Sequence, residues 1–235
     1  MTFNEVIYEL KEEIRRHNLF DDDRLDERLI KKWINDQREL WIRNEVNKNR
    51  SIDQQIIQTF CDQLEVADRS ACPSYVTGYS VLQTSQDMPE IIELNDRDGI
   101  IEIGPVDRIA RPFSYINIFR SRFAGSGKWN SKFIYAFRYG KRILLASKDM
   151  ESGSFLKYLR YIKIRALCSD PEEVANFTHV NGNDCYSEDD DYPLNRWMWS
   201  YMKTEIKKAN FGNLQTAVTD MVNDAGEDLK TLNNE

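Results

Sequence analysis

The fold is decided by residues 21–50, which run DDDRLDERLIKKWINDQRELWIRNEVNKNR. Apolar side chains recur there at helical spacing and predict one long amphipathic helix, with Arg38 on its charged side. The predicted apolar stripe consists of Leu25, Leu29, Ile30, Trp33, Ile34, Leu40 and Trp41. Aspartates 21–23 supply a cap and favourable charge for the helix dipole, so we expect the helix to begin near Arg24. Its two tryptophans need a large covering surface, either the rest of the fold or a neighbouring subunit.

Two further helices are predicted, one at each end of the chain. Residues 2–17 place apolar side chains three and four positions apart, namely Phe3, Val6, Ile7, Leu10 and Ile14. The short link at 21–23 predicts that this helix and the long one pack as an antiparallel hairpin. A final helix carries an apolar stripe, with Trp199 at its edge. The stripe consists of Trp197, Met198, Tyr201, Met202 and Ile206.

The middle of the chain has short runs rich in Ile, Tyr and Phe, separated by turn residues, which predict an antiparallel β module. The runs are 77–84, 91–94, 100–103, 114–119, 132–139, 142–146 and 158–167. Residues 51–65 fit both helix and strand, and we predict a helical turn followed by a strand from Phe60 to Ala67. A second helical turn is predicted at Pro171, which follows a capping aspartate.

These elements predict an α+β protein in which the N- and C-terminal helices pack together and a central antiparallel β module projects from them. The predicted domains are a helical part formed by 1–68 and 169–222, the β module at 69–168, and a flexible acidic tail at 223–235.

Charge is segregated along the chain. Residues 1–106 hold 13 basic and 22 acidic side chains, 107–165 hold 14 and 3, and 166–235 hold 5 and 14. The basic middle has three possible explanations. Its charges are neutralised within the subunit, they face phosphate, or they dock against acidic surface of another subunit.

Composition indicates a soluble globular protein, since 41% of residues are hydrophobic and 30% are charged. The first sixteen residues lack the apolar core of a signal peptide, and no stretch approaches the roughly 20 apolar residues of a membrane span. We therefore expect synthesis inside the cell and no membrane partner. The four cysteines form no CxxC pair, so neither a disulfide framework nor a zinc ribbon is predicted.

The loop Gly125-Ser126-Gly127-Lys128 resembles a phosphate-binding loop only superficially, because Trp129 stands where Ser or Thr is required. A flexible hairpin tip is the preferred interpretation. Basic residues surround aromatic ones there, a combination that suits nucleic acid or a protein partner. They are Arg120, Arg122, Lys128 and Lys132, next to Phe123 and Trp129.

Metal and catalytic sites have little support. Cys168, His179, Asp184 and Cys185 match no closed zinc module, and the acidic run at 184–191 lacks the glycine and the final glutamate of a calcium loop. Neither histidine lies in a catalytic motif, so we predict no enzyme, no cofactor and no metal. A nuclease or hydrolase with an unrecognised carboxylate site remains an alternative.

Four stretches together resemble the virion ring, or head–tail connector, proteins of crAss-like phages. They are LIKKWINDQRELWIRNEVNKNRSID (29–53), DGIIEIGPVD (98–107), DPEEVANF (170–177), and CYSEDDDYPL (185–194) followed by a Trp-containing helix. The resemblance extends from about Arg24 to Trp199. The chain has a sizeable β module, which better-known podovirus adaptors lack. The way in which the subunit docks on its neighbours is therefore left open.

The resemblance implies a structural subunit beneath the portal of a short-tailed phage, in a stacked twelve-fold ring that encloses the DNA channel. Implied partners are other copies of the chain in a dodecameric ring, the portal, a further ring or tail protein, and genomic DNA in passing. The implied location is the head–tail junction of the virion, after assembly in the host bacterial cytoplasm.

Ring subunits close through head-to-tail contacts between different faces, which segregated charges and exposed tryptophans would supply. The predicted interface residues are Trp33, Trp41, Arg120, Arg122, Lys128, Trp129, Lys132, Arg160, Lys163, Arg165, Asp189, Asp190, Asp191 and Trp197. The strand cations are expected to meet the aspartates of a neighbour. The alternative function is a nucleic-acid-binding module that uses the basic region 108–165.

Overall fold

A computed structural model describes residues 1–17, 26–48, 50–67, 80–95, 97–106, 111–121, 123–125, 127, 129–148, 155–179, 182–187 and 189–211. The chain forms two compact units. We call Met1–Asn44 with Asp189–Glu235 the helical unit, and Glu45–Glu188 the β unit. The domain limits proposed from the sequence, at 68/69 and 168/169, stay a prediction. The predicted tail at 223–235 lies outside the described residues.

The helical unit contains α1 (Phe3–His17), α2 (Glu27–Asn47, which runs into the β unit) and α4 (Arg196–Phe211). The predicted apolar face of α1 is confirmed, since all five of its residues are buried. At the start of α2 the Asp26 carboxylate accepts a hydrogen bond from the Arg28 backbone N–H at 3.0 Å, as a capping residue does. The proposed cap at 21–23 lies outside the described residues.

The predicted stripe of α2 is wrong in part. The buried residues are Ile30, Ile34, Arg38 and Ile42. They are spaced by four and form one row along the helix. Leu29 and Leu40 belong to the neighbouring row and are 41% and 50% exposed. The sequence prediction had merged two adjacent apolar rows into one.

Arg38 was predicted on the charged side and is completely buried instead. Its Nε–H donates to the backbone carbonyl of Pro193 at 2.8 Å, and its guanidinium lies 5.7 Å from the centre of the Tyr192 ring. A buried guanidinium is tolerated where carbonyls accept its protons and an aromatic face offsets its charge. Arg38 therefore fastens segment 192–193 to α2.

The predicted stripe of α4 also needs correction. Met198, Trp199, Met202 and Ile206 are buried, whereas Trp197 is 46% and Tyr201 59% exposed. The Trp199 indole N–H donates to the Glu9 carboxylate at 2.7 Å, so a polar partner stabilises the tryptophan that the sequence placed at the edge. Trp197 and Tyr201 are thereby left at the surface.

After the end of α2, the β unit has the predicted helical turn, a 3₁₀ turn at Gln54–Ile56. Strand β1 follows from Gln58 to Val66 and so begins two residues before the predicted strand, Phe60 to Ala67. The other strands are β2 (Ser80–Thr84), β3 (Ile100–Pro105), β4 (Ser114–Tyr115), β5 (Tyr135–Tyr139), β6 (Arg142–Ser147) and β7 (Tyr161–Ala166). The predicted turn at Pro171 is confirmed as a 3₁₀ helix, Pro171–Asn176. The predicted strand 91–94 is wrong, because Ile91 and Glu93 make isolated bridges only.

The seven strands form one sheet in the order β3-β7-β1-β2-β6-β5-β4. The sheet is nearly closed as a barrel, since the Phe113 N–H beside β4 donates to the Ile103 carbonyl of β3 at 2.7 Å. The predicted all-antiparallel pairing is wrong at one edge, where β4 pairs with β5 in parallel. The connection 116–134, which includes the short helix α3 (Ile118–Ser121), is long enough for that crossover.

Strand β1 changes partner along its length. Residues 58–63 pair with β7, and residues 64–66 pair with β2. Just before the change lies Asp62, which is 4% exposed and accepts hydrogen bonds from the Ser85 hydroxyl at 2.9 Å and the Gln86 N–H at 3.3 Å. Burial raises the pKa of Asp62 despite these bonds. The Asp62 carboxyl therefore lies where the strand passes from one partner to the other.

Candidate assembly surfaces

The helical unit exposes an aromatic cluster formed by Trp41 of α2 and by Trp197 and Tyr201 of α4. The Trp41 ring centre lies 6.2 Å from that of Trp197 and 5.6 Å from that of Tyr201. Trp41 is partly buried beneath its two exposed neighbours. The structure therefore brings together two of the predicted interface tryptophans.

A second apolar row on α2 is also incompletely covered. Leu29, Trp33 and Leu40 are spaced by four and seven residues, which places them on the same side of the helix. Leu29 and Leu40 are exposed and Trp33 is partly buried. This row is part of the stripe that the sequence assigned to the core.

Ion pairs hold the helix that carries the cluster. Glu13 of α1 accepts hydrogen bonds from Lys207 at 2.5 Å and Lys203 at 3.1 Å of α4. These bonds, that of Lys207 first, lower the pKa of Glu13 to about 2. The carboxylate stays charged across the neutral and mildly acidic range, so α4 remains attached to α1 there.

The β unit exposes a second set of aromatic residues, in the connection between β4 and β5. Phe119 is 82%, Phe123 74% and Trp129 87% exposed, and we call these three side chains the aromatic tip. Backbone hydrogen bonds define its turns, including Phe123 N–H to the Arg120 carbonyl at 3.0 Å. The predicted residues Arg120, Trp129 and Lys132 are exposed there. Arg122 and Lys128 lie outside the described residues.

Two of the three predicted strand cations, Lys163 and Arg165, lie in β7, whereas Arg160 precedes its first residue. Ile162, Ile164 and Ala166 are completely buried, which confirms the predicted alternation. Arg165 donates to the Glu102 carboxylate at 3.1 Å and also to Gln54, so part of its charge is neutralised within the unit. Arg160 and Lys163 make no ion pair with an acid in the part of the chain that the structure describes.

The predicted acidic residues 189–191 are exposed in the helical unit. Asp191 accepts the Met1 amino group at 2.5 Å, and the Tyr192 N–H donates to the Met1 carbonyl at 2.8 Å. The Asp191 carboxylate is thus engaged within its own unit. Their predicted contact with a neighbouring copy stays a prediction.

The side chains considered as metal ligands, those of Cys168, His179 and Cys185, lie in the β unit. His179 Nδ1 is 3.9 Å from the Sγ of Cys61, a neighbour that the chain spacing did not indicate because 118 positions separate the two. Burial raises the pKa of the Cys185 thiol. Among the described residues, no group of three or more His, Cys, Asp or Glu side chains could hold a metal ion.

A groove of about 490 Å³ lies where β3, β4 and the start of β5 meet, and we call it the Phe113 groove. Its apolar lining consists of Pro105, Pro112, Phe113, Phe133, Ile134 and Phe155. Arg111 and Lys132 add exposed cations to the lining. The volume suits part of a peptide or a small ligand. Sequence reasoning missed this groove, and the nearest signal was the Arg111-Pro112 turn.

Exposed aromatic residues on both units are typical of a protein that binds other macromolecules as a subunit of an assembly. A comparison with known protein families identifies the family to which this assembly protein belongs. The chain belongs to the crAss-like phage family described as phage tail ring protein 2, whose model it matches over residues 5–229. It is therefore a structural ring protein of a phage, as the sequence resemblance indicated.

Members of this family are structural proteins rather than a class of enzymes, and ring proteins act as oligomers within the virion. No curated protein matches the chain. None of the helices that the structure describes combines the length and hydropathy needed to cross a membrane.

Proposed function

We propose that this protein is the ring subunit that joins the portal to the tail of a short-tailed phage and encloses the DNA exit channel. The observation that carries the proposal is the family match over residues 5–229. In this role the subunit forms a dodecameric ring at the head–tail junction and stacks against the portal and a further ring or tail protein.

The two aromatic surfaces support ring closure. A closed ring needs two different patches on each subunit that bind one another head to tail. The cluster around Trp197 in the helical unit and the aromatic tip around Trp129 in the β unit are two such patches, and aromatic side chains dominate binding energy in protein interfaces.

Charge supports the register of these contacts. Arg160 and Lys163 lie in the basic region 107–165, which acidic sequence flanks on both sides. In a ring these cations would meet acidic surface of the next subunit, such as residues 189–191. Opposite charges at the rim favour the correct neighbour and disfavour other alignments.

The proposal is tested by native mass spectrometry and electron microscopy on the protein alone and mixed with the portal of the same phage. We expect a closed twelve-fold ring in at least one sample. A protein that stays monomeric in both samples would refute the adaptor role.

Nucleic-acid binding is the second candidate, and a specific observation favours it. Tyr158 is 81% exposed beside Lys157 and Arg160, both also exposed, and aromatic residues among cations suit a nucleic-acid backbone and its bases. The double variant Arg160→Glu/Lys163→Glu should then lose DNA affinity at low salt and still form rings. If the wild-type affinity is independent of salt concentration, this candidate fails.

A further inference from the structure

The Phe113 groove has a definite ligand preference. Among the described residues, its lining is apolar apart from Ser114 and the two cations Arg111 and Lys132, and it includes no acidic side chain. Phe133 and Phe155 are 43% and 42% exposed, so part of the aromatic surface is available to a ligand. A complementary ligand has a bulky apolar group for the lining and flanking carboxylates for the cations.

Residues 212–235 of this chain have that composition. The segment carries five acids and one lysine among six large apolar residues. The acids are Asp220, Asp224, Glu227, Asp228 and Glu235, and the large apolar residues are Leu214, Val218, Met221, Val222, Leu229 and Leu232. The pair Met221-Val222 stands between Asp220 and Asp224, which is the predicted pattern of the ligand.

The segment is also long enough to extend well beyond the end of its own helix. It follows α4, which ends at Phe211, and its 24 residues could span about 80 Å when fully extended. We propose that residues 212–235 of one copy bind in the Phe113 groove of an adjacent copy, with Met221-Val222 against the phenylalanines and the flanking aspartates beside Arg111 and Lys132. This inference rests on the proposed function, because the ring supplies the adjacent copy.

The contact can be tested in the full chain by photo-crosslinking. Met221 is replaced by p-benzoylphenylalanine, and ¹⁵N-labelled and unlabelled protein are assembled together. We expect crosslinks from position 221 to peptides that contain Phe113 or Phe133, with one heavy and one light partner. Crosslinks to any other surface, or only between segments of the same molecule, would overturn the inference.

Matched variants test the chemistry of the groove. Arg111→Glu should reduce the yield of these crosslinks about ten-fold, since it places a carboxylate against carboxylates. Lys141→Glu, an equal charge change at the β5–β6 turn away from the groove lining, should leave the yield unchanged. A yield that Arg111→Glu does not lower would contradict the proposed occupant.

Electron microscopy of the same samples separates the two proposals. Rings without groove crosslinks would refute the binding of 212–235 and leave the ring function intact. Heavy–light groove crosslinks support the contact whether or not rings are seen. The absence of both would refute the contact and the ring together.

Discussion

In the helical unit, Trp197 and Tyr201 stand on a regular helix that Lys203 and Lys207 tie to Glu13. In the β unit, Phe119 and Trp129 stand on a turn-rich connection that backbone hydrogen bonds hold together. Both units therefore present aromatic residues, but charged side chains support one surface and the main chain supports the other. The difference predicts that substitution and pH affect the two units differently.

The largest effect should follow from removing the buried cation of the helical unit. Arg38→Ala deletes the hydrogen bond to the Pro193 carbonyl and the contact with Tyr192, and it leaves a cavity. We expect the free energy of unfolding to fall by about 3 kcal/mol. Urea denaturation measures this change. Arg28→Ala, at an exposed position of the same helix, is the control and should change it by less than about 0.5 kcal/mol.

The next effect concerns assembly rather than folding. Trp197→Ala and Trp129→Ala each remove an exposed aromatic side chain, one from each unit. If both surfaces lie in ring contacts, each variant should weaken ring formation about 30-fold, or about 2 kcal/mol, with little change in monomer stability. Analytical ultracentrifugation measures the association. Tyr8→Ala, exposed on α1, is the control, and rings that tolerate both tryptophan variants would exclude these surfaces.

A smaller effect should appear on acidification of the helical unit. The folded protein lowers the pKa of Glu13 to about 2, below its ordinary value of 4.5. The charged form is therefore favoured in the fold, and this stability is present above pH 4.5 and lost as the pH falls towards 2. We expect a loss of about 1 kcal/mol, because solvent screens a partly exposed pair. Glu13→Gln should abolish this part of the acid dependence, and an unchanged titration of the variant would contradict the assignment.

The smallest effect is expected in the β unit, where the stability should decrease rather than increase as the pH rises. Burial raises the pKa of Asp62, so its protonated form is favoured in the fold. Its contribution is largest below the ordinary pKa of an aspartate and declines as the pH rises through the raised value. Asp62→Asn should reduce this pH-dependent change in the free energy of unfolding by a few tenths of a kcal/mol. A ¹³C NMR titration of the Asp62 carboxyl that gives a lowered pKa would refute this prediction.

The sequence predicted those features that depend on neighbouring residues, and it did not predict those that depend on residues distant in the chain. The face of α1 follows from the spacing of its own residues, and so does the turn at Pro171 after its capping aspartate. The face of α2 could not be predicted from spacing, because Ile30 and Leu29 begin adjacent rows of similar hydropathy. The choice between the rows depends on segment 192–193, whose carbonyl and ring receive Arg38.

The candidate surfaces divide in the same way. The exposure of Trp129 was predictable because basic residues and glycines surround it in a loop. The pairing of Trp41 with Trp197 joins residues 156 positions apart, and the Phe113 groove forms where three strands meet, so neither has a local signal. The family was recognisable because several short stretches together carry more information than any single residue.

The β unit is one continuous stretch, 45–188, whereas the helical unit is assembled from sequence on both sides of it. At about 5–20 residues per second, a ribosome spends on the order of ten seconds on that stretch. Arg38 and Trp41 of α2 must wait through this interval for their partners Pro193 and Trp197. We therefore expect the β unit to fold first on the nascent chain. A ribosome-bound chain stalled well after residue 188 but before α4 emerges should resist protease in β1–β7 and be cleaved in α1.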